Sequence, residues 1–195
     1  MINKIARVAR NKIWFLLRNI AAGFQVPKLN EMNHGVFTTR GLRRSELACF
    51  LEIYSELNAG AKLGLVRKII YWLLGERLCV IVIGSNSGTD ANHEMLGFNM
   101  FYFNSRDFEE DTIHSGFIGT KTEARGLGVA TAMQQHIFSN FAKTNLKGVS
   151  SRISVNNHSS MAVAKKVGLE PVEQYFDESM GEERFYLVCD LSKYR

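Results

Sequence analysis

Apolar positions recur along this chain at two spacings, and the changes between them outline its elements. Residues 45–58 carry Leu47, Phe50, Leu51, Ile53, Tyr54 and Leu57 at helical spacing, with Ser45 as the expected N-cap and Gly60 as the stop. A short strand is expected before it at residues 35–40, and a second helix after it from about Ala61 to Leu74, ended by Gly75. Strand patterns follow. Residues 78–84 form a continuous apolar run, residues 85–92 have the composition of a turn, and residues 95–104 supply the partner strand of a hairpin. A polar loop at 105–111 leads into a third strand at 113–121, whose internal Gly116 and Gly119 mark a bulge or a close approach to the backbone. Residues 127–141 return to helical spacing, followed by a strand at 149–155, a helix at 158–167 and a last strand at 185–191. This order predicts an α/β (α+β) fold with a mixed, largely antiparallel central sheet of about six to seven strands and helices on both faces.

Charge divides the chain differently. Residues 1–30 hold six bases, Lys4, Arg7, Arg10, Lys12, Arg18 and Lys28, and no acid, whereas the other 165 residues carry 18 bases against 19 acids. The basicity is therefore terminal, and the body gives no reason to expect nucleic acid as a partner. The longest apolar run in the basic segment, residues 13–17, is too short for a secretory core or a bilayer span. An amphipathic helix remains, with Ile5, Ile13, Trp14, Leu17 and Ile20 on one side. It is expected to pack on the body or a second subunit of a homodimer, with peripheral membrane contact through residues 1–24 as the alternative. The organisation expected is a basic helical appendage over 1–30 and a single domain over 31–195. Three cysteines far apart, with no C-x-x-C pair, fit a reducing, cytoplasmic compartment and give no reason to expect a metal.

Residues 120–130, TKTEARGLGVA, join a strand to a helix with two glycines at the junction. Such a junction gathers unpaired backbone N–H groups at the positive end of the helix, a ready cradle for phosphate, and Arg125 adds a fixed charge. The same G-x-G also serves as a plain tight connection. It is not a P-loop, because no Gly-Lys-Ser/Thr follows, and it lacks the third glycine and acidic partner of a dinucleotide fingerprint.

Arg125-Gly126-Leu127-Gly128-Val129-Ala130 resembles the Q/R-x-x-G-x-G/A signature of the GNAT superfamily of acyl-CoA-dependent N-acyltransferases. Asn157 to Leu169, NHSSMAVAKKVGL, resembles the second conserved block of that family at the expected distance. The likeness is one of motif over residues 113–170 and of topology over 36–192. It implies a GNAT-like fold and an acetyl-CoA-dependent N-acetyltransferase, with acetyl-CoA as co-substrate and no metal. The pantetheine arm would pair with Ile118, Gly119 and Thr120, the loop Arg125, Gly126, Leu127, Gly128, Val129 and Ala130 would hold the pyrophosphate, and Asn157 would reach the arm, either besides or instead of capping its own helix.

The implied reaction is direct attack of a primary amine on the thioester, which needs a base, an oxyanion donor near Thr120 and an acid for the departing thiolate. Many relatives place a Tyr seven residues after the motif Asn, where this chain has Ala164. Ser160 resembles the sulfur-contacting Ser of a subgroup of the family, and is also an ordinary polar residue for a first helical turn. Tyr175, in the loop expected after the second block, is the other acid. His114 is the first choice of base, on the same strand face as Gly116 and Ile118 by alternate counting, with Glu110 and Asp111 as alternatives. The acceptor pocket implied lies around residues 45–75 and 172–184. A small amine such as an amino sugar is favoured over a protein amine. A catalytically silent binding module and a membrane-surface adaptor are the contrasting readings.

Overall fold

The computed structural model describes residues 2–84 and 94–195. Strands β1 (Met32–Asn33), β2 (Phe37–Gly41), β3 (Cys79–Gly84), β4 (Met95–Tyr102), β5 (Thr112–Thr120), β6 (Gly148–Ser154), β7 (Glu170–Asp177) and β8 (Glu182–Asp190) form one sheet in chain order, except that β8 lies between β6 and β7. The β5–β6 pair is parallel and all the others are antiparallel. Among the described residues the sheet has eight strands, in keeping with the mixed, largely antiparallel sheet of about six to seven expected. The turn expected at 85–92 and the side chain of Ile5 lie outside the described residues.

Among the described residues six helices flank the sheet: α1 (Ile2–Gln25), α2 (Leu47–Leu57), α3 (Leu65–Leu78), α4 (Ser105–Glu110), α5 (Val129–Phe141) and α6 (His158–Lys166). On one face, Phe101 packs edge-on against Phe138 and Phe141 of α5, and Cys189 donates its thiol to the Val167 carbonyl just past α6. On the other face Phe98 meets Phe50 of α2, Tyr102 lies under Arg67 of α3 and beside Phe15 of α1, and Thr112 bonds Asp107 of α4.

Three local expectations are corrected. Ser45 is not the cap of α2; it sits in a 3₁₀ turn, Arg44–Glu46, held by an ion pair between Glu46 and buried Arg40 and by the Arg43 N–H at 3.1 Å from the Glu46 carboxylate. Gly75 does not stop its helix. It is buried inside α3, which runs on to Leu78, because the Leu42 carbonyl passes where a Cβ would come within 2.6 Å of it. Residues 105–110, expected as loop, are helical because Asn104 accepts the Arg106 and Asp107 N–H groups while Asp107 accepts that of Asn104.

The C-terminal half of α1 is built into the body. Asn19 is fully buried and bonds Phe103 both ways, accepting its N–H at 2.7 Å and donating to its carbonyl at 2.9 Å. Gly23 lets α1 close on Leu74 and Leu78 of α3. The packed stripe is Phe15, Leu16, Asn19, Ile20, Ala22 and Gly23, while Ile13, Trp14 and Leu17, counted from sequence as one side with Ile20, are 55–59% exposed.

Candidate active site

β5 and β6 pair over four rungs, from Thr112↔Gly148 to Ser115↔Ser151, and then part. β5 stays bonded to β4 up to Thr120↔Gly97, so its residues 116–120 turn an edge without a strand partner toward the end of β6. Ile118, Gly119 and Thr120 lie on that edge. At the point of parting β5 carries a bulge: Met100 faces Phe117, Phe101 faces Ser115, and Gly116 faces nothing. A side chain there would come within 2.3 Å of the Tyr102 ring.

The bulge corrects the alternate counting. The extra residue reverses the phase of the strand, so His114 shares its face with Tyr102, Phe117 and Gly119, not with Ile118. Ile118 and Ser115 lie on the face covered by α5, and His114 on the face covered by α1 to α4.

Past Thr120 a 3₁₀ turn, Thr122–Ala124, leads to the glycine loop. Buried Ala124 and Val129 fix its two ends, and the residues from Arg125 to Gly128 between them are exposed. Gly126 and Gly128 have φ of 80° and 77°, the left-handed region that favours glycine, and the space where their side chains would stand is empty to 4 Å. The first bond of α5 runs from Ala132 N–H to Gly128 at 3.0 Å, so the N–H groups of Val129, Ala130 and Thr131 are the unpaired donors of its first turn. Arg125 has no ion pair among the described residues. Open space, free donors and a cation fit a pyrophosphate, and the unpaired β5 edge leads up to them.

Asn157 caps α6: its side-chain oxygen accepts the Ser160 N–H and the Ser159 hydroxyl, both at 3.0 Å. Its amide NH₂ has no acceptor among the described residues, so capping leaves it free to donate. Ser160 is half-buried in the first turn of α6, its hydroxyl without a partner among the described residues. Tyr175 is not in a loop. It lies in β7, opposite Arg184 of β8, and its hydroxyl is buried without a partner among the described residues.

His114 is 4% exposed. Its Nδ1 lies 2.8 Å from Ser150 Oγ, and Ser150 donates to Asp107 Oδ1 at 2.7 Å. The serine proton is thereby committed, so His114 Nδ1 is the donor in its bond and Nε2 carries the lone pair. Burial, followed by the charges of Arg152, Arg67 and Arg184, lowers the His114 pKa to about 3 and keeps the ring neutral. Burial also raises the carboxyl of Asp107 above its ordinary range, against the bonds from Asn104, Ser150 and Thr112. The sequence reading missed Asp107 and Ser150. The alternatives to His114 are engaged elsewhere, Glu110 with Arg106 at 2.7 Å and Tyr186 at 2.9 Å, Asp111 with Lys147 at 2.8 Å.

Solved structures of GNAT-family acetyltransferases share this fold. The fold is shared with the NatC complex bound to Gag peptide and CoA (TM-score 0.65, 14% identity over 80% of this chain and 98% of that one). It is shared equally with NAA60 of Arabidopsis thaliana in complex with acetyl-CoA (0.66, 12%, 79% and 99%) and the ribosomal-protein-S5-alanine acetyltransferase of Vibrio fischeri (0.65, 15%, 85% and 99%). No protein-family model and no curated protein matches the sequence.

Proposed function

We propose that this chain is an acetyl-CoA-dependent N-acetyltransferase acting on a primary amine. The observation that carries the reading is the parting of β5 from β6 directly beside an open, cationic glycine loop. Acetyl-CoA, bound along the β5 edge with its pyrophosphate on Arg125 to Ala130, supplies an activated acetyl group as a thioester. The neutral amine attacks its carbonyl carbon, the C–N bond forming as the C=O π pair moves onto oxygen, and the C–S bond breaks as the carbonyl re-forms. His114 offers Nε2 to the amine proton and, being a weak base, passes it on to water. Backbone N–H groups near Thr120 face the developing oxyanion. Ser160 donates a hydrogen bond to the departing thiolate, whose proton comes from water, with Tyr175 as the alternative acid.

A small amine is favoured as acceptor over a protein amine, although several structures of the same fold are named for protein substrates. The test is thiol release from acetyl-CoA across a panel of small amines and N-terminal peptides. Binding of coenzyme A with no release for any amine would leave a silent binding module.

One further observation favours a second location-related property. Among the described residues no helix is long and apolar enough to cross a membrane. The outer side of α1 nevertheless exposes Ile13, Trp14, Leu17 and Phe24 beside Arg7, Arg10 and Lys12 in a segment without acids. Apolar residues between bases suit the surface of an anionic bilayer, and peripheral attachment of a cytoplasmic enzyme through this side of α1 is the reading adopted.

A further inference from the structure

The face of the sheet that carries His114 has a surplus of unused positive groups. Register turns Arg152 of β6, Tyr175 of β7 and Arg184 and Tyr186 of β8 to the same face as His114 and Tyr102. Two buried polar atoms there, the Tyr175 hydroxyl and Arg184 Nε, have no hydrogen-bond partner among the described residues. Arg67 lies 4.6 Å above the Tyr102 ring, in the first turn of α3, where the positive end of the helix disfavours an unpaired guanidinium. Arg152 is exposed at the end of β6, where the cleft opens.

The acids of this face are engaged with other groups. Asp177 and Glu182 each lie 3.6 Å from Arg184, at the β7–β8 turn. Glu173 and Glu110 hold Arg106 at 2.6 and 2.7 Å, and Asp107 is buried against Ser150 and Thr112. No acid among the described residues pairs with Arg67 or Arg152. Arg67 stands over Tyr102 of β4, and Arg152 lies two residues past Ser150, the β6 partner of His114, so the two guanidiniums flank β5 from its two neighbouring strands.

We propose that Arg67 and Arg152 bind an anionic group of the acceptor, making the substrate a small primary amine that carries a carboxylate or phosphate a few bonds from its nitrogen. The inference rests on the acetyltransferase reading above. Its physical content is that the amine must reach the cleft beside His114 while its negative group meets guanidiniums on either side of the same ring. Planar, forked donors suit either oxyanion. Burial is the main cause that keeps His114 neutral, and the bound anion offsets the smaller, additional effect of the arginine charges.

The experiment compares matched amines on the full-length protein: β-alanine against propylamine for carboxylate, and an amino sugar phosphate against the parent amino sugar for phosphate. Turnover is followed by thiol release, and binding to coenzyme A-loaded protein by calorimetry. The anionic member of at least one pair is expected to have a kcat/KM at least tenfold higher, and the pair that shows it identifies the oxyanion. Arg152→Gln and Arg67→Gln should each shrink that ratio about tenfold, mainly through KM, with Arg152→Lys recovering part of it, while stabilisation by coenzyme A shows that the variants fold. Equal turnover of both members, or a ratio untouched by either substitution, overturns the anion site and leaves the acetyltransferase reading standing. Calorimetric binding of the anionic amines that Arg152→Gln abolishes, without thiol release for any amine, supports the site and overturns the enzyme. Turnover confined to acidic N-terminal peptides overturns the small acceptor.

Discussion

His114 Nδ1 and Ser150 Oγ lie 2.8 Å apart across β5 and β6, one rung before the strands part. The bond ties the ring to Asp107 through Ser150 and fixes its tautomer. It also makes a buried histidine part of what holds the parallel pair together.

The first prediction concerns pH. Burial lowers His114 to about 3, and His136 to about 4 with help from His34 and Lys143, whereas both titrate near 6.5 in the unfolded chain. Between these values the unfolded state binds more protons, so the stability they contribute is complete above pH 6.5 and is lost as the pH falls through that window, at up to about 1.4 kcal/mol per unit for each group. Asp107, raised by burial, acts with the opposite sign, favouring the folded chain as it is protonated. His114→Gln isolates the histidine. The Tm advantage of wild type over the variant should shrink steadily from pH 7 to pH 4.5, and a constant gap would show that His114 is not held neutral.

A second prediction tests the glycine loop. Gly128→Leu should abolish the thermal stabilisation that coenzyme A gives, about 2.7 kcal/mol at a hundredfold excess over Kd in wild type. The left-handed φ at Gly128 also strains any other residue by about 1 to 2 kcal/mol, so the shift is read within each variant, with ligand against without. A retained shift would move the phosphates away from this loop.

The third prediction separates two donors. Ser160→Ala should lower kcat about tenfold with cofactor affinity nearly intact, the signature of a bond made mainly in the transition state. Tyr175→Phe should leave kcat nearly unchanged, since Tyr175 lies on the edge strand β7, two strands beyond β6. If Tyr175→Phe removes kcat and Ser160→Ala does nothing, the acid is Tyr175.

What the sequence disclosed followed periodicity and motif. Leu127 to Phe141 as a helix and the open loop before it were legible because glycine and apolar spacing both signal locally. β7 was hidden: residues 170–177 include Pro171 and are mostly exposed, as an edge strand tolerates, so no alternation marks them. The face of His114 was misread because one extra residue at Gly116 reverses every position upstream of it, and nothing local distinguishes a bulge from a plain glycine. Asp107, Ser150 and Arg152 are drawn beside His114 by strand pairing across dozens of residues, which no local pattern records. Asn19 was passed over for the same reason, its partner being 84 residues away.

The last prediction distinguishes the two sides of α1. The inner side is part of the core: Asn19 supplies both bonds to Phe103, and Gly23 admits Leu74 and Leu78. Removing residues 1–23 would strip both and uncover the apolar surface of α3, so the truncated chain should be destabilised or aggregate irrespective of salt. The outer side is tested without touching that packing, by Trp14→Gln with Leu17→Gln, since both residues are more than half exposed and stability should change by less than about 0.5 kcal/mol. Intact protein should co-sediment with phosphatidylserine-containing vesicles and lose binding as salt rises from 50 to about 300 mM, because each base near the surface contributes roughly 1 kcal/mol that falls off within a Debye length. The double variant should bind weakly at every salt concentration. Binding that survives high salt unchanged, or is equal on neutral vesicles, would exclude the bases as its source. Concentration-dependent dimerisation abolished by the same double variant, with no vesicle binding, would assign the outer side of α1 to a second copy of the chain.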